Sequence, residues 1–291
     1  MYQAGPYKLL FRRPILMGVI NVTPDSFSDG GEFFDATAAI AHGSRLISEG
    51  ADWLDIGGES TRPGANPITV HEESRRVIPV IEGLKDMGVP LSIDTIHPEV
   101  AERAVKAGAV ILNDIAGGSD PALARVAALH NLPYIVMHMQ GTPKTMQSAP
   151  QYADVSAEVF AWLGERCTKL QKIGVTQLLT DVGIGFGKTL AHNLTLIHQL
   201  EWFLELGFPI AIGTSRKSWI QKALGKETPM SERIESTIAA NVLALEKGAR
   251  VFRVHDVAPN LRALKAAWGI MLAEKMDGDN AVPWPKVVER V

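Results

Sequence analysis

Asn21, Asp94, Asn113, Asp181 and His255 share one placement: each stands at the end of a short apolar run, where the chain turns polar. Ile15 to Ile20 runs into Asn21 and then into "NVTPDSFSDGG". Trp53 to Ile56, which contains Asp55, empties into "GGESTRPGA", with Glu59, Thr61, Arg62 and Pro63. Leu91 to Ile93 ends in Asp94, Val110 to Leu112 in Asn113 and Asp114, and Tyr134 to Met137 in His138 and Gln140. Leu178 to Thr180 ends in Asp181, with Lys188 beyond it; Ile210 to Ile212 leads into "GTSRKSW", and Val251 to Val254 carries Arg253 and ends at His255 and Asp256.

These residues sort by chemistry. Arg62, Lys217, Arg253 and His255 form a cationic set, and an arginine fork matches phosphate oxygens with two parallel hydrogen bonds. Asn21 offers a neutral oxygen, suited to a hard cation such as Mg²⁺ that also holds substrate phosphate. Asp94, Asn113 and Asp181 offer acceptors and one donor, apt for a flat nitrogen heterocycle carrying amino and N–H groups. An anion site beside such a set suits a heterocycle joined to a phosphate leaving group.

The apolar runs alternate with helical patterns. Asp35 is placed to cap Ala36 to Glu49, and Thr69 with Glu72 reads as a capping box before a helix ending near Gly88. Pro98 to Gly108, Asp120 to His130, Val155 to Lys172, Asn193 to Leu206, Ser231 to Lys247 and Pro259 to about Met276 follow. Eight strands, each followed by a helix, imply a parallel sheet with right-handed crossovers. The expected fold is α/β, a closed (β/α)8 TIM barrel over about 14–276, with an open doubly wound sheet as the alternative. One domain is expected over 1–291. "YKLLF" near the start reads as an extra strand at the barrel floor, and 277–291 as a tail without periodicity. In such barrels chemistry sits where strand C-termini meet their loops, which brings distant residues to one mouth.

Composition excludes several classes. With 46% hydrophobic and 21% charged residues and a net charge of −3, no broad basic surface for nucleic acid is available. No apolar stretch is long enough for a membrane span, and Arg12 and Arg13 interrupt what could resemble a leader. The single Cys167 fits a reducing cytoplasm and inert packing. "GIGFGK" has neither the spacing of a phosphate-binding P-loop nor that of the dinucleotide fingerprint, and the histidines show no metalloprotease spacing. Asp55 and Asp114 read first as loop caps, Glu59 as holding its own loop, and His138 equally as packing or ligand. Arg216 reads equally as an ion-pair partner at the surface or between subunits.

Taken together, "MGVINVTPDSFSDGG", "GADWLDIGGESTRPGA", "SIDT", "NDIAGG", "MHMQGTPKTMQ", "GIGFGK", "GTSRKS" and "RVHDV" resemble the dihydropteroate synthases of folate biosynthesis. The resemblance covers nearly the whole chain, from about Pro14 to Asp256 and on through the last helix. It implies a transferase that joins 6-hydroxymethyl-7,8-dihydropterin pyrophosphate to p-aminobenzoate, giving 7,8-dihydropteroate and pyrophosphate by an SN1-like, Mg²⁺-assisted route. It assigns Asp94, Asn113, Asp181, Lys217 and Arg253 to the pterin, and Asn21, Arg62, Arg253 and His255 to pyrophosphate, with Asn21 on Mg²⁺. Thr61, Pro63, Phe186 and Ser218 fall to p-aminobenzoate and sulfonamides. Asp94, Lys217, Arg253 and His255 form the implied catalytic set, and loops 21–34 and 60–68 the pair that closes over substrate. It also implies a cytoplasmic homodimer built on the late helices. The family's usual Asp-Pro-Gly is Asp181-Val182-Gly183 here, which leaves Asp181 less constrained. Two alternatives share parts of this pattern. A methyltetrahydrofolate–corrinoid methyltransferase would have the pterin set but no use for Arg62, His255 and the "TRPG" loop. A non-catalytic pterin-binding paralogue would be expected to lose the loop after Asn21 or the anion set.

Overall fold

The chain's structure is a computed structural model that describes residues 1–23, 36–61, 64–276 and 280–291. Arg62, Pro63, the cap expected from Asp35 and most of the loop after Asn21 lie outside the described residues.

The strands that build the barrel are β3 (Ile15–Asn21), β4 (Trp53–Gly57), β5 (Leu91–Asp94), β6 (Ile111–Asp114), β7 (Tyr134–Met137), β8 (Leu178–Asp181), β9 (Ile210–Ile212) and β10 (Ala249–Val254). Neighbours pair in parallel in chain order, and β10 closes on β3. The helices between them are α1 (Ala36–Ser48), α2 (Val70–Leu84), α3 (Pro98–Ala107), α4 (Pro121–Leu129), α5 (Val155–Ile173), α6 (Leu190–His198), α7 (Trp219–Leu224), α8 (Ile234–Glu246) and α9 (Val257–Met271). The chain is therefore a (β/α)8 barrel, as the alternation requires.

Two apolar clusters follow from the two-residue period of a strand. Leu16, Ile20, Leu54, Ile56, Leu91, Ile93, Leu112 and Val136 face out and pack under the helices. Ile15, Met17, Trp53, Ile111, Ile135, Leu179, Ala211 and Val251 face in and fill the lower barrel. Continuing the inward parity upward gives Asn21, Asp55, Gly57, Asp94, Asn113, Met137, Asp181, Gly213, Arg253 and His255. The lower layer is apolar and the upper layer polar, so the mouth is where charge collects.

The floor is closed by a hairpin, β1 (Tyr2–Ala4) and β2 (Tyr7–Leu9), joined by β11 (Val288–Arg290) from the tail. Ala4, Tyr7, Leu9 and Val287 seal the inward cluster from below. The floor strand expected from "YKLLF" is thus present. The tail strand was not legible, because three paired residues carry no periodicity.

Local chemistry explains most helix starts. Asp154 accepts from the Ser156 and Ala157 amides at 3.0 Å each, a cap whose loss costs about 1 kcal/mol. Thr69 Oγ1 accepts from Glu72 N at 3.2 Å, but the expected return arm is missing: the Glu72 carboxylate is taken by Arg75 and Arg76. The helix expected over Asn193 to Leu206 starts earlier, where Thr189 and His192 cap each other, and ends sooner. Leu200–Leu206 winds on as a 3₁₀ helix, burying Leu200 and Phe203, which are three apart and eclipse at that period. α7, after β9, was not expected from the sequence.

Candidate active site at the barrel mouth

β10 lifts Arg253 into the mouth. Its Nε donates to Asp55 Oδ2 at 2.6 Å and its Nη2 to Asp94 Oδ2 at 2.8 Å. Asn113 Nδ2 donates to the same Asp55 oxygen at 3.0 Å. One carboxylate, one guanidinium, a second carboxylate and an amide from four strands are therefore tied into a single network. Burial pushes the Asp94 carboxyl well above the usual carboxylate range, although Arg253 pulls it back. Asp181, on β8, is raised for the same reason; its Oδ1 accepts from Gly183 N at 2.7 Å.

Lys217 reaches the mouth from the turn between β9 and α7. Its Nζ donates to the Ile184 carbonyl at 2.5 Å and lies 4.5 Å from the centre of the Phe186 ring. Burial lowers its ammonium to about 8, with Asp181 pulling the other way. A Cβ on Gly213 would come 3.6 Å from Lys217 Nζ and 3.8 Å from Arg253 Cβ, so this glycine opens the space between the two cations. Phe186 and Lys217 therefore stand together on one side of the mouth, and Ser218, next in the chain, is exposed. Thr61, partly buried, ends the described part of the loop after β4.

On the side of β3 and β10, His255 Nδ1 lies 3.0 Å from Ser215 Oγ, and its Nε2 lies 3.5 Å from Asn21 Nδ2. Asn21 and His255, far apart in sequence, meet because β10 pairs with β3.

Other residues resolve toward structure. Asp114 accepts from Ala116 N at 2.7 Å and Gly118 N at 2.6 Å, and from the Tyr134 hydroxyl, so it holds its loop as expected. Asp55 does not cap a loop. It faces inward in mid-strand, and the period of β4, Trp53-Asp55-Gly57, was the signal that could have found it. His138 packs on Trp162 with ring centres 4.8 Å apart and lies 2.9 Å from Lys188 Nζ; burial lowers its pKa to about 3. Lys188, 1% exposed, also donates to the Phe186 carbonyl at 3.0 Å, so it holds the loop that carries Phe186. Arg216 pairs with Asp256 of its own chain through Nε at 2.9 Å. Cys167 is buried, its thiol pushed up to about 12 by burial.

The loop after β8 is tightly specified. Gly183 has φ +69°, and a Cβ there would lie 1.8 Å from the His138 carbonyl oxygen. Val182 beside it is fully buried, just past the end of β8, at the position where the family's usual pattern has proline. Val182→Pro should therefore fold, with a change in unfolding free energy within about 1 kcal/mol. Urea denaturation checks this; a loss of several kcal/mol means that the amide or the preceding φ/ψ matters.

Among the described residues one group of three potential metal ligands clusters within 4.8 Å: Glu59, Glu73 and His97. It was not visible in sequence spacing. Its members come from the loops after β4 and β5 and from α2, and Glu73 already bonds His97 Nδ1 at 2.7 Å. A Cβ on Gly58 would come 3.0 Å from Glu73 Cγ, so this group packs against the start of the loop after β4.

The likenesses to known proteins agree with this geometry. A family model described as pterin binding enzyme matches residues 17–255. The dihydropteroate synthase of Escherichia coli K12 is 43% identical over 265 residues, covering 90% of this chain and 93% of that protein. The Xanthomonas albilineans dihydropteroate synthase with 4-aminobenzoic acid superimposes with TM-score 0.84 at 46% identity, covering 90% of this chain and 94% of that one. The same enzyme in complex with 7,8-dihydropteroate gives TM-score 0.82 at 44% identity, covering 90% and 95%. The chain belongs to the pterin-binding enzyme family and, within it, to the dihydropteroate synthases.

Proposed function

We propose that this chain condenses 6-hydroxymethyl-7,8-dihydropterin pyrophosphate with p-aminobenzoate, acting as one unit over residues 1–291 with the catalytic barrel over about 14–276. The observation that supports the residue roles is the junction at Arg253: the guanidinium bonds Asp55 and Asp94 on one side, and His255, two residues further along the chain, meets Asn21 from β3. A ligand with a donor-rich heterocycle and an anionic tail spans these two environments.

In this reading Asp94, Asn113 and Asp181 accept from the pterin ring edge, Lys217 adds a donor, and Arg253 lies at the join with the pyrophosphate. The C–O bond to pyrophosphate breaks, and the arylamine nitrogen closes the new C–N bond and then loses its proton. An arylamine is a weak nucleophile, so leaving-group departure carries much of the barrier. Arg253 and His255, with Arg62, stabilise the charge growing on pyrophosphate. Asp94, a buried carboxylate on the pterin side, favours positive charge on the ring as the bond loosens, in a dissociative, SN1-like sense. Thr61, Pro63, Phe186 and Ser218 receive p-aminobenzoate, and the loops after β3 and β4 exclude the water that would otherwise capture the cation.

Mg²⁺ fits the donor set at Asn21. The Nδ2 of Asn21 is turned to His255 Nε2, which leaves its Oδ1 as the hard oxygen a magnesium ion prefers. Bound there with substrate phosphate, the ion would supply Lewis-acid stabilisation of the departing charge. The reading is completed by a homodimer through α8 and α9, where Leu243 and Ile270 are exposed, and by residence in the cytoplasm. Among the described residues no helix is long and apolar enough to cross a membrane.

The decisive experiment incubates the purified chain with the pterin pyrophosphate and p-aminobenzoate, with Mg²⁺ or with EDTA. Dihydropteroate and pyrophosphate are expected in equal amounts, with turnover lost in EDTA and restored by Mg²⁺. No product with Mg²⁺ overturns the activity; unchanged turnover in EDTA overturns the metal.

A further inference from the structure

Asp55 faces inward below the rim of the mouth, and it does not touch solvent: it is 0% exposed. Its Oδ2 takes both Arg253 Nε and Asn113 Nδ2. Its Oδ1, equally sealed, has no hydrogen-bond donor. A carboxylate made for stability would use both oxygens, since a buried polar atom without a partner is costly. A buried ion pair is also weak grounds for stability in itself, because desolvation cancels much of the attraction. What the arrangement does provide is direction.

An ionised carboxylate only accepts. Asn113 must therefore turn its NH₂ toward Asp55, because the flipped amide would set two acceptors 3.0 Å apart. That leaves Asn113 Oδ1, which has no protein donor among the described residues, to meet a ligand as an acceptor. Arg253 is constrained in the same way. With Nε on Asp55 and Nη2 on Asp94, Nη1 is the nitrogen without a protein acceptor among the described residues.

We propose that Asp55 is a positioning residue that sets the hydrogen-bond polarity of the mouth: it makes Asn113 an acceptor and aims Nη1 of Arg253, so that the site reads a heterocycle edge bearing N–H or NH₂ donors. This rests on the pterin reading given above, and it deepens it by naming what orients two of the pterin contacts.

The test is Asp55→Asn, which keeps the shape but supplies a group that both donates and accepts. Asn113 is then free to flip, and Arg253 loses a charged partner. The KM for the pterin pyrophosphate and its directly measured Kd should rise about tenfold, while the KM for p-aminobenzoate stays within about twofold. The fold should survive, because Arg253 keeps Asp94 and the new amide oxygen still accepts. In an Asn113→Ala background the same substitution should cost less than half as much on a logarithmic scale, because Asp55 acts partly through that amide. An unchanged pterin KM, an equal rise in both KM values, or additivity in the Asn113→Ala background overturns the proposal. A merely structural Asp55 would instead disturb both substrates together. If wild type itself neither binds nor turns over the pterin pyrophosphate, the underlying reading fails; if wild type is active and Asp55→Asn matches it, only the positioning role fails.

Discussion

Lys217→Met should lower kcat/KM for the pterin pyrophosphate by about two to three orders of magnitude, and most of that loss should appear in binding. Lys217 reaches the space between Gly213, Phe186 and Arg253. In the free chain its donor is spent on the Ile184 carbonyl and its charge lies over an aromatic face, neither of which supplies a counter-charge. Its natural counter-charge, Asp181, affects it through space without closing an ion pair. A ligand acceptor entering between them would complete the bond, and methionine keeps the aliphatic stem while removing it. The pH dependence gives a second handle. Because burial lowers the Lys217 ammonium from 10.5 to about 8, the proton is lost as pH rises through about 8. Wild-type kcat/KM should fall above that pH, and the low activity of the variant should lack this alkaline limb. Stability has the opposite sign. A group whose folded pKa is depressed contributes stability that is present above its unfolded value and lost as pH falls through the folded one. Lys217 therefore weighs against the fold at neutral pH, and Lys217→Met should be as stable as wild type there or more so. Equal pterin affinity in the variant, or an alkaline limb that persists, contradicts the role.

That opposition between stability and use also explains what could be read from sequence. The barrel was legible because its outer wall is built by repetition: apolar runs that pack under helices, each stopped by Gly, Pro or a capping side chain. Strand ends were correct to within a residue or two because the change from Ile20 to Asn21, or from Ile93 to Asp94, is abrupt in polarity. Asp94, Asn113 and Asp181 could be placed at the mouth because they sit at those breaks. Asp55 was read as a loop cap because it lies inside an apolar run, where one polar residue among hydrophobic ones looks like an exception. Only closure of the barrel, which brings β10 to β3 and β4, reveals Arg253 as its partner. Lys188 and His138 show the converse. Both stand in polar loops that invite a functional reading, yet they spend their polar atoms on each other and on loop carbonyls. The Glu59–Glu73–His97 group was illegible for a simpler reason: two loops and a helix meet there, and no spacing in sequence encodes that meeting. The break of the expected 193–206 helix at Gln199 was hidden because Leu196, Leu200 and Phe203 satisfy α and 3₁₀ periods alike.

Arg253→Met should be the most damaging single change in the barrel, and its damage should depend on pH. The guanidinium neutralises Asp55, which is fully buried, and Asp94, whose side chain is 11% exposed. Removing one partner of a buried ion pair leaves the other charge uncompensated, at a cost of about 3–5 kcal/mol. Protonation offers relief. Asp94 is already raised by burial, and Arg253 is the principal group holding it down. Without Arg253 its folded pKa moves further above the ordinary value of 3.8. Between the unfolded and folded pKa values the native state then binds more protons than the unfolded chain, so stability falls as pH rises. Glu73 and Asp114 add negative potential at Asp94 and act in the same direction. Urea unfolding at pH 5 and pH 8 should therefore show a small gap between variant and wild type at the lower pH and a gap of about 3–5 kcal/mol at the higher. Arg253→Lys should recover only part of it, because one ammonium cannot offer two fixed donors along one edge to carboxylates on separate strands. A gap that does not change with pH would mean that the carboxylates find other partners once the arginine is gone, and the junction between the two halves of the mouth would have to be placed elsewhere.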